Sequence, residues 1–228
     1  MVLEGGDIPK TSAVSFIFFL DEYEKSNKDV LSIHLGSNLS STFKHAKQAT
    51  FLYKGIKQID LFDTGTASMA QGIMAIKAEQ LAQQGKDLNE IKNEIYSLKD
   101  RVSLRALAPN IPYLRASGRV SHLKGILAEK FKLNPILQID NGCVEKIATP
   151  RHLNKGIGWL AKYAKQNSPL EQVIINHFDN DTNGRELKKE IIRRTNLSQD
   201  LVHLGELGPI TASHGGSGTI AMTIVRKK

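Results

Sequence analysis

Residues 29–66, DVLSIHLGSNLSSTFKHAKQATFLYKGIKQIDLFDTGT, decide the fold class. Asp29 to Leu35 is a compact strand candidate, and Ser40, Ser41 and Thr42 open a helix running to about Tyr53. Gln58 to Phe62 reads as a second strand that ends in the polar turn Asp63-Thr64-Gly65-Thr66. Downstream, Ala67 to Gln84 carries Met69, Ile73, Ile76 and Leu81 at helical spacing, and Gly85 closes it. Leu88 to Leu98 repeats the helical pattern, and Val102 to Ala108 reads as a third strand. Upstream, Ser15 is placed to cap a helix whose apolar face uses Phe16, Phe19, Leu20 and Tyr23. The first eleven residues, with Gly5, Gly6 and Pro9, read as a loose lead-in. Strand and helix in alternation predict a parallel α/β sheet. Ligands of such sheets gather beyond the carboxyl ends of the strands, where the turns Gly36-Ser37-Asn38-Leu39-Ser40 and Asp63–Thr66 fall.

After Pro109 the pattern changes. Ile136 to Ile139, Asn141-Gly142 and Cys143 to Ile147 predict a hairpin with a type I′ turn. A helix over 151–166, a strand over 172–178, a helix over 183–195 and strands over 201–207 and 219–225 follow. The expected architecture is α/β in two domains: an N-terminal parallel-sheet domain over 1–107 and a C-terminal mixed α/β domain with a hairpin over 108–228.

The 228 residues are 40% hydrophobic and 24% charged, which excludes collagen, disordered tails and disulfide scaffolds. The net charge of +8 is uneven: residues 1–114 hold 13 cations and 13 anions, so the whole excess lies in 115–228. A basic half suits an anionic partner, yet no Lys/Arg run interleaves with aromatics as nucleic-acid binding favours. The lone Cys143 excludes an internal disulfide and a multi-Cys metal site. With no charged-then-apolar leader and no apolar run of spanning length, the expectation is a cytoplasmic protein without stable membrane insertion.

Asp179, Asp181, Asn183, Gly184 and Glu190 fit the calcium-loop template, but a strand-like QVIINHF precedes them and Glu186 holds the position that needs an apolar residue. A strand–turn–helix junction accounts for the same residues. Residues 208–219, GPITASHGGSGT, offer glycines at 215, 216 and 218 that let backbone N–H groups converge on an anion, with His214 beside them; a turn before the last strand is the plainer reading. The Ser/Thr-rich turn 36–42 is a natural seat for a carboxylate or phosphate at a helix start, although capping alone would also use Ser40. No Walker loop, G-x-S-x-G elbow or metal-ligand spacing is present, and His34 reads as a core histidine. Arg119, near Gly118, and Arg151, just after a strand, offer bidentate donors for oxyanions.

Read in order, these blocks resemble the DegV family of bacterial fatty-acid-binding proteins. Thr11-Ser12 resembles its threonine–serine loop, HLGSNLSSTFKHA (34–46) its serine-rich strand–helix turn, and DTGTASMAQG (63–72) its D-S-x-x-x-S-M-x-x-G stretch. YLRASGRVS (113–121), NPILQIDNG (134–142), Arg151 and GPITASHGGSG (208–218) follow in family order. The resemblance implies a two-domain α/β protein that holds one fatty acid, carboxylate between the domains and acyl chain in an apolar tunnel. It implies that Thr11 and Ser40 bond the carboxylate with Ser12 and Ser37 as neighbours, and that Arg119, Arg151 and His214 serve the phosphate or the kinase contact. It further implies a DhaL-type kinase partner that makes acyl-phosphate, with this chain non-catalytic and needing no cofactor or metal. Family members usually carry a first strand with a T-D-S motif ahead of the Thr-Ser loop. This chain begins almost at that loop, so its N-terminal domain is expected to lack that segment. Val14-Ser15 stands where Pro-Ser is usual, RASGR replaces R-x-G-G-R and SHGGSG (213–218) replaces T-H-T-G-P-G. Two alternatives remain open: an autonomous small-molecule kinase or hydrolase on a related fold, and a basic regulatory or nucleic-acid-binding protein.

Overall fold

The computed structural model describes residues 11–120 and 133–228; residues 1–10 of the eleven-residue lead-in, and Ser121 of the YLRASGRVS block, lie outside them. The chain divides into two compact units. One comprises Ser12–Asp100 with Asp140–Cys143, and the other the described parts of Met1–Thr11, Arg101–Ile139 and Val144–Lys228.

In the first unit α1 (Phe16–Lys25), β1 (Val30–His34), α2 (Thr42–Leu52), β2 (Ile59–Asp63), α3 (Ser68–Gln83) and α4 (Leu88–Lys99) follow one another. β1 and β2 pair in parallel, from Val30 opposite Ile59 to His34 opposite Asp63. Ser15 caps α1 by accepting from the Ile17 N–H at 3.3 Å. Asp87 and Glu90 form a capping box that starts α4. The apolar stripe of α1 is turned inward: Tyr23 is buried and Phe16, Phe19 and Leu20 are half-buried. The Tyr23 hydroxyl donates to Ser32 Oγ at 3.0 Å, and Ser32 Oγ shares a hydrogen bond with His34 Nε2 at 2.8 Å. Phe19 and Phe43 meet the His34 ring edge-on. His34 is therefore a partnered core side chain.

In the second unit β3 (Val102–Leu107), α5 (Ile111–Ala116), β4 (Ile136–Asp140), β5 (Cys143–Ala148), α6 (Leu153–Gln166), β6 (Leu170–His177), α7 (Asp181–Thr195), β7 (Val202–Glu206), α8 (Pro209–Gly215) and β8 (Ile220–Arg226) follow in order. The six strands run β5-β4-β3-β8-β6-β7. β6 and β7 are parallel, while β3 is antiparallel to both β4 and β8. Leu107, Leu160, Ile175, Leu187, Ile191 and Met222 anchor one buried cluster between this sheet and α6 and α7. On the same sheet the Arg105 guanidinium lies over the Tyr163 ring at 4.5 Å, and Tyr163 stacks on Trp159 with only 4° between the ring planes.

Three differences from the sequence reading have physical causes. β3 was expected to close a first domain ending at residue 107, but it pairs with β4 and β8, so the division falls between Asp100 and Arg101. A strand's partners are set by distant residues, and a local pattern does not show them. The hairpin forms as expected, with Asn141 at φ 47° and Gly142 at φ 73°, yet its turn packs within the first unit. Within residues 208–219, read as a turn before the last strand, 209–215 form α8, started by Pro209 at its first turn and stopped by Gly216 at φ 76°.

The strand–turn–helix reading of the calcium-like stretch holds. β6 precedes it, Asp179 Oδ2 accepts from Ser217 Oγ at 2.8 Å, and Glu190 lies inside α7. The Arg193 and Arg194 guanidinium groups bond Glu190 and hold its carboxyl down to about 2.

Candidate functional site

The β1–α2 turn is shaped by the residue that ends the neighbouring strand. Asp63 accepts from the Ser37 N–H at 3.2 Å and from the Gly65 N–H at 2.8 Å. Gly36 N–H donates to Thr66 O at 2.7 Å, so the two polar turns interlock at the carboxyl ends of β1 and β2. Thr64 Oγ1 ties them again by donating to His34 O at 2.8 Å. The hairpin turn completes this cluster: Gly142 N–H donates to Gly65 O at 2.7 Å, and Asn38 Nδ2 donates to Asn141 O at 3.0 Å. Three blocks far apart in sequence, 36–38, 63–66 and 141–142, thus form one junction.

Ser37 and Ser40, both in the turn, have local hydrogen bonds. The Ser37 N–H is engaged by the Asp63 carboxylate and is not free for an anion. Ser40 Oγ accepts from the Thr42 N–H at 3.2 Å and lies 2.8 Å from Thr42 Oγ1. The first turn of α2 therefore presents a half-buried pair of hydroxyls rather than a lone serine. A hydroxyl pair at a helix N-terminus, where the dipole is positive, is suited to a carboxylate. Sequence reasoning missed Thr42 as a partner, although the run Ser40-Ser41-Thr42 carried the signal. It also missed Thr66, whose buried Oγ1 has no hydrogen-bond partner among the described residues.

The second unit brings together Thr11, His214 and Arg119. Thr11 Oγ1 and His214 Nε2 share a hydrogen bond at 3.2 Å. His214 sits in the last turn of α8, which packs on α5. The glycines after it serve packing: a Cβ on Gly216 would stand 2.7 Å from Tyr113 Cγ, and one on Gly218 would stand 2.9 Å from Pro109 Cγ. Close approach of the chain to residues 109–113 accounts for them, in place of the anion cradle considered from sequence. Gly118, at φ 70°, turns the chain from α5 to Arg119, whose Nη1 donates to Ser117 O at 2.5 Å. Arg151 is exposed, with its carbonyl accepting from Asn134 Nδ2 at 3.0 Å, and Ser12 is exposed.

Burial, reinforced by the positive charge of Arg119, holds the His214 imidazole below its ordinary value of 6.5. Burial likewise lowers His34, against the opposing pull of the Asp63 carboxylate. Both rings are neutral near pH 7 and bind protons less readily folded than unfolded. Their contribution to stability is therefore full above the ordinary imidazole value and is lost as pH falls through it toward the depressed folded values. Urea unfolding midpoints are expected to drop between mildly alkaline and mildly acidic buffer, with a smaller drop in His34→Gln. An identical pH slope in that variant would remove His34 from the account.

Among the described residues no group of three or more His, Cys, Asp and Glu is placed to hold a metal ion. No helix among them is long and apolar enough to cross a membrane.

A family model described as uncharacterised proteins of the DegV family matches residues 2–227. A DegV domain-containing protein of Staphylococcus aureus strain MRSA252 is 26% identical over 231 residues, covering 99% of this chain and 81% of that protein. A DegV family protein from Thermus thermophilus, solved with regard to its fatty acid binding, superposes with a TM-score of 0.84 at 25% identity, covering 98% of this chain and 81% of that one. DegV from Bacillus subtilis, described as a fatty acid binding protein, superposes with a TM-score of 0.79 at 25% identity, covering 96% and 79%.

Proposed function

Because this chain belongs to the DegV family, we propose that it is a cytoplasmic fatty-acid carrier that presents the acyl carboxylate to a DhaL-type kinase and is not itself catalytic. The observation that carries the reading is the Ser40–Thr42 hydroxyl pair, set at the helix start beyond a parallel strand in a fold shared with relatives that bind fatty acids. A buried carboxylate without donors is strongly disfavoured, whereas each hydrogen bond to a charged group contributes about 1.5–3 kcal/mol. Burial of the acyl chain adds about 0.8 kcal/mol per CH₂.

In this proposal Ser40 and Thr11 bond the carboxylate, with Ser12 and Ser37 as neighbours, and Thr42 joins them through its contact with Ser40. His214 orients the Thr11 hydroxyl and, with Arg119 and Arg151, faces the incoming phosphate or the kinase. A neutral His214 suits this role, since the Thr11 contact does not require a charged ring. The fatty acid is a ligand, and the proposal invokes no cofactor or metal.

Native mass spectrometry of the purified chain tests the carrier reading directly. A co-purified species of fatty-acid mass is expected. An empty protein that hydrolyses esters or phosphorylates a sugar unaided would favour the enzyme instead, and tight binding confined to DNA would favour the regulator. With a DhaL-type kinase and ATP, Arg151→Ala is expected to retain the bound acid and lose acyl-phosphate formation. Normal phosphorylation would strip Arg151 of its assigned role.

A further inference from the structure

Between Asp29 and Asp60 the chain holds no acidic residue, while Lys44, Lys47, Lys54 and Lys57 all fall in that interval. α2 occupies its centre. Ala46 and Ala49 are fully buried and fix the inward face of this helix. Lys44, Lys47, Gln48, Phe51 and Leu52 are all exposed and recur at i, i+3, i+4, i+7 and i+8, so they share the opposite face. Phe51 is 74% exposed and Leu52 44%, and Ile56 in the turn that follows is 95% exposed. Lys54 flanks Ile56 on the exposed side, with Lys57 half-buried next to it.

Large apolar side chains left this open, ringed by cations, indicate a surface that is covered in use. The charges are also uncommitted: among the described residues Lys25, Lys86 and Lys92 form ion pairs, and none of Lys44, Lys47, Lys54 and Lys57 does. The kind of cation discriminates between covers. Protein interfaces are enriched in Arg, Tyr and Trp and depleted in Lys. Lysines around Phe, Leu and Ile are instead the composition of helices that lie in the boundary of an anionic bilayer.

We propose that the outer face of α2, with the turn that carries Ile56, docks the protein on the surface of an anionic phospholipid bilayer. Phe51, Leu52 and Ile56 enter the headgroup boundary, and Lys44, Lys47, Lys54 and Lys57 lie among the lipid phosphates. The docking is peripheral, and it does not depend on the carrier reading, although it would bring a carrier to the phase in which free fatty acids dissolve.

Sedimentation of the full chain with phosphatidylglycerol vesicles, and separately with phosphatidylcholine vesicles, tests this. Binding to the anionic vesicles alone is expected, weakening as salt is raised. Phe51→Asp combined with Ile56→Asp should reduce the bound fraction at least tenfold, and Lys47→Gln or Lys54→Gln by about fivefold each. These side chains are exposed, so the melting temperature of each variant should match the parent. A parent protein that stays in the supernatant with anionic vesicles overturns the proposal, as does equal binding by the Phe51/Ile56 variant. So does a concentration-dependent dimer that the same variant abolishes without any vesicle binding, which would assign the face to a second copy. Native mass spectrometry of the variants keeps this outcome separate from fatty-acid loading, which should persist.

Discussion

Ser40→Ala is expected to weaken fatty-acid affinity about 10- to 150-fold, the equivalent of one hydrogen bond to a charged group. The effect is large because a carboxylate removed from water has few replacement donors. Part of the change will be structural, since Ser40 Oγ also accepts from the Thr42 N–H ahead of α2, and such a hydrogen bond contributes about 0.5–1.5 kcal/mol of stability. Ser40→Thr, which restores a hydroxyl on the same carbon, should recover both affinity and stability. Displacement of a fluorescent fatty acid, measured beside the urea midpoint, reads both. Affinity unchanged in Ser40→Ala, with stability lowered, would confine Ser40 to shaping the turn and leave the headgroup to other hydroxyls.

Gly142→Val should strongly destabilise the junction of the three turns. Gly142 has φ 73°, a conformation costing a β-branched residue about 1–3 kcal/mol. Its added Cβ would also stand 3.0 Å from Asn38 Cβ and 3.2 Å from the Asn38 backbone N, so the turn must retreat from the junction. That movement breaks the Gly142 N–H to Gly65 O bond and loosens the turn that bears Ser37 and Ser40. A loss of several degrees in melting temperature, at about 2–8 °C per kcal/mol over the range of domain sizes, and weaker fatty-acid binding are expected together. A variant that melts with the parent would show that the junction yields at no cost.

The sequence reading was sound where local chemistry decides. β1, α2 and β2 lie within about two residues of expectation. Ser15 caps α1, and Asn141-Gly142 makes its turn. Those features depend on spacing, caps and φ preference within a few residues. What escaped depends on partners remote in the chain. The assignment of β3 follows from its pairing with β8 more than a hundred residues on. The engagement of the Ser37 N–H depends on Asp63, and the purpose of Gly216 and Gly218 depends on Pro109 to Tyr113. α8 was hidden for another reason: a seven-residue helix has too few turns to show a period, and its glycines argued for a loop. Of the candidate site, the residue types and their order were legible. The Thr11–His214 bond and the Ser40–Thr42 pair were not, because a hydrogen bond between side chains leaves no trace in composition.

The stack of Trp159 on Tyr163, with Arg105 over the same tyrosine, has an optical consequence. Trp159 is the chain's single tryptophan and belongs to the second unit, so emission excited selectively at indole reports on that unit alone. The stacked phenol, one turn on in the same helix, gives its spectrum a folded signature that vanishes when α6 unfolds. Far-ultraviolet dichroism sums both units. A dichroism transition that precedes the fluorescence transition would therefore identify the unit of α1 to α4 as the first to unfold, without any label being introduced.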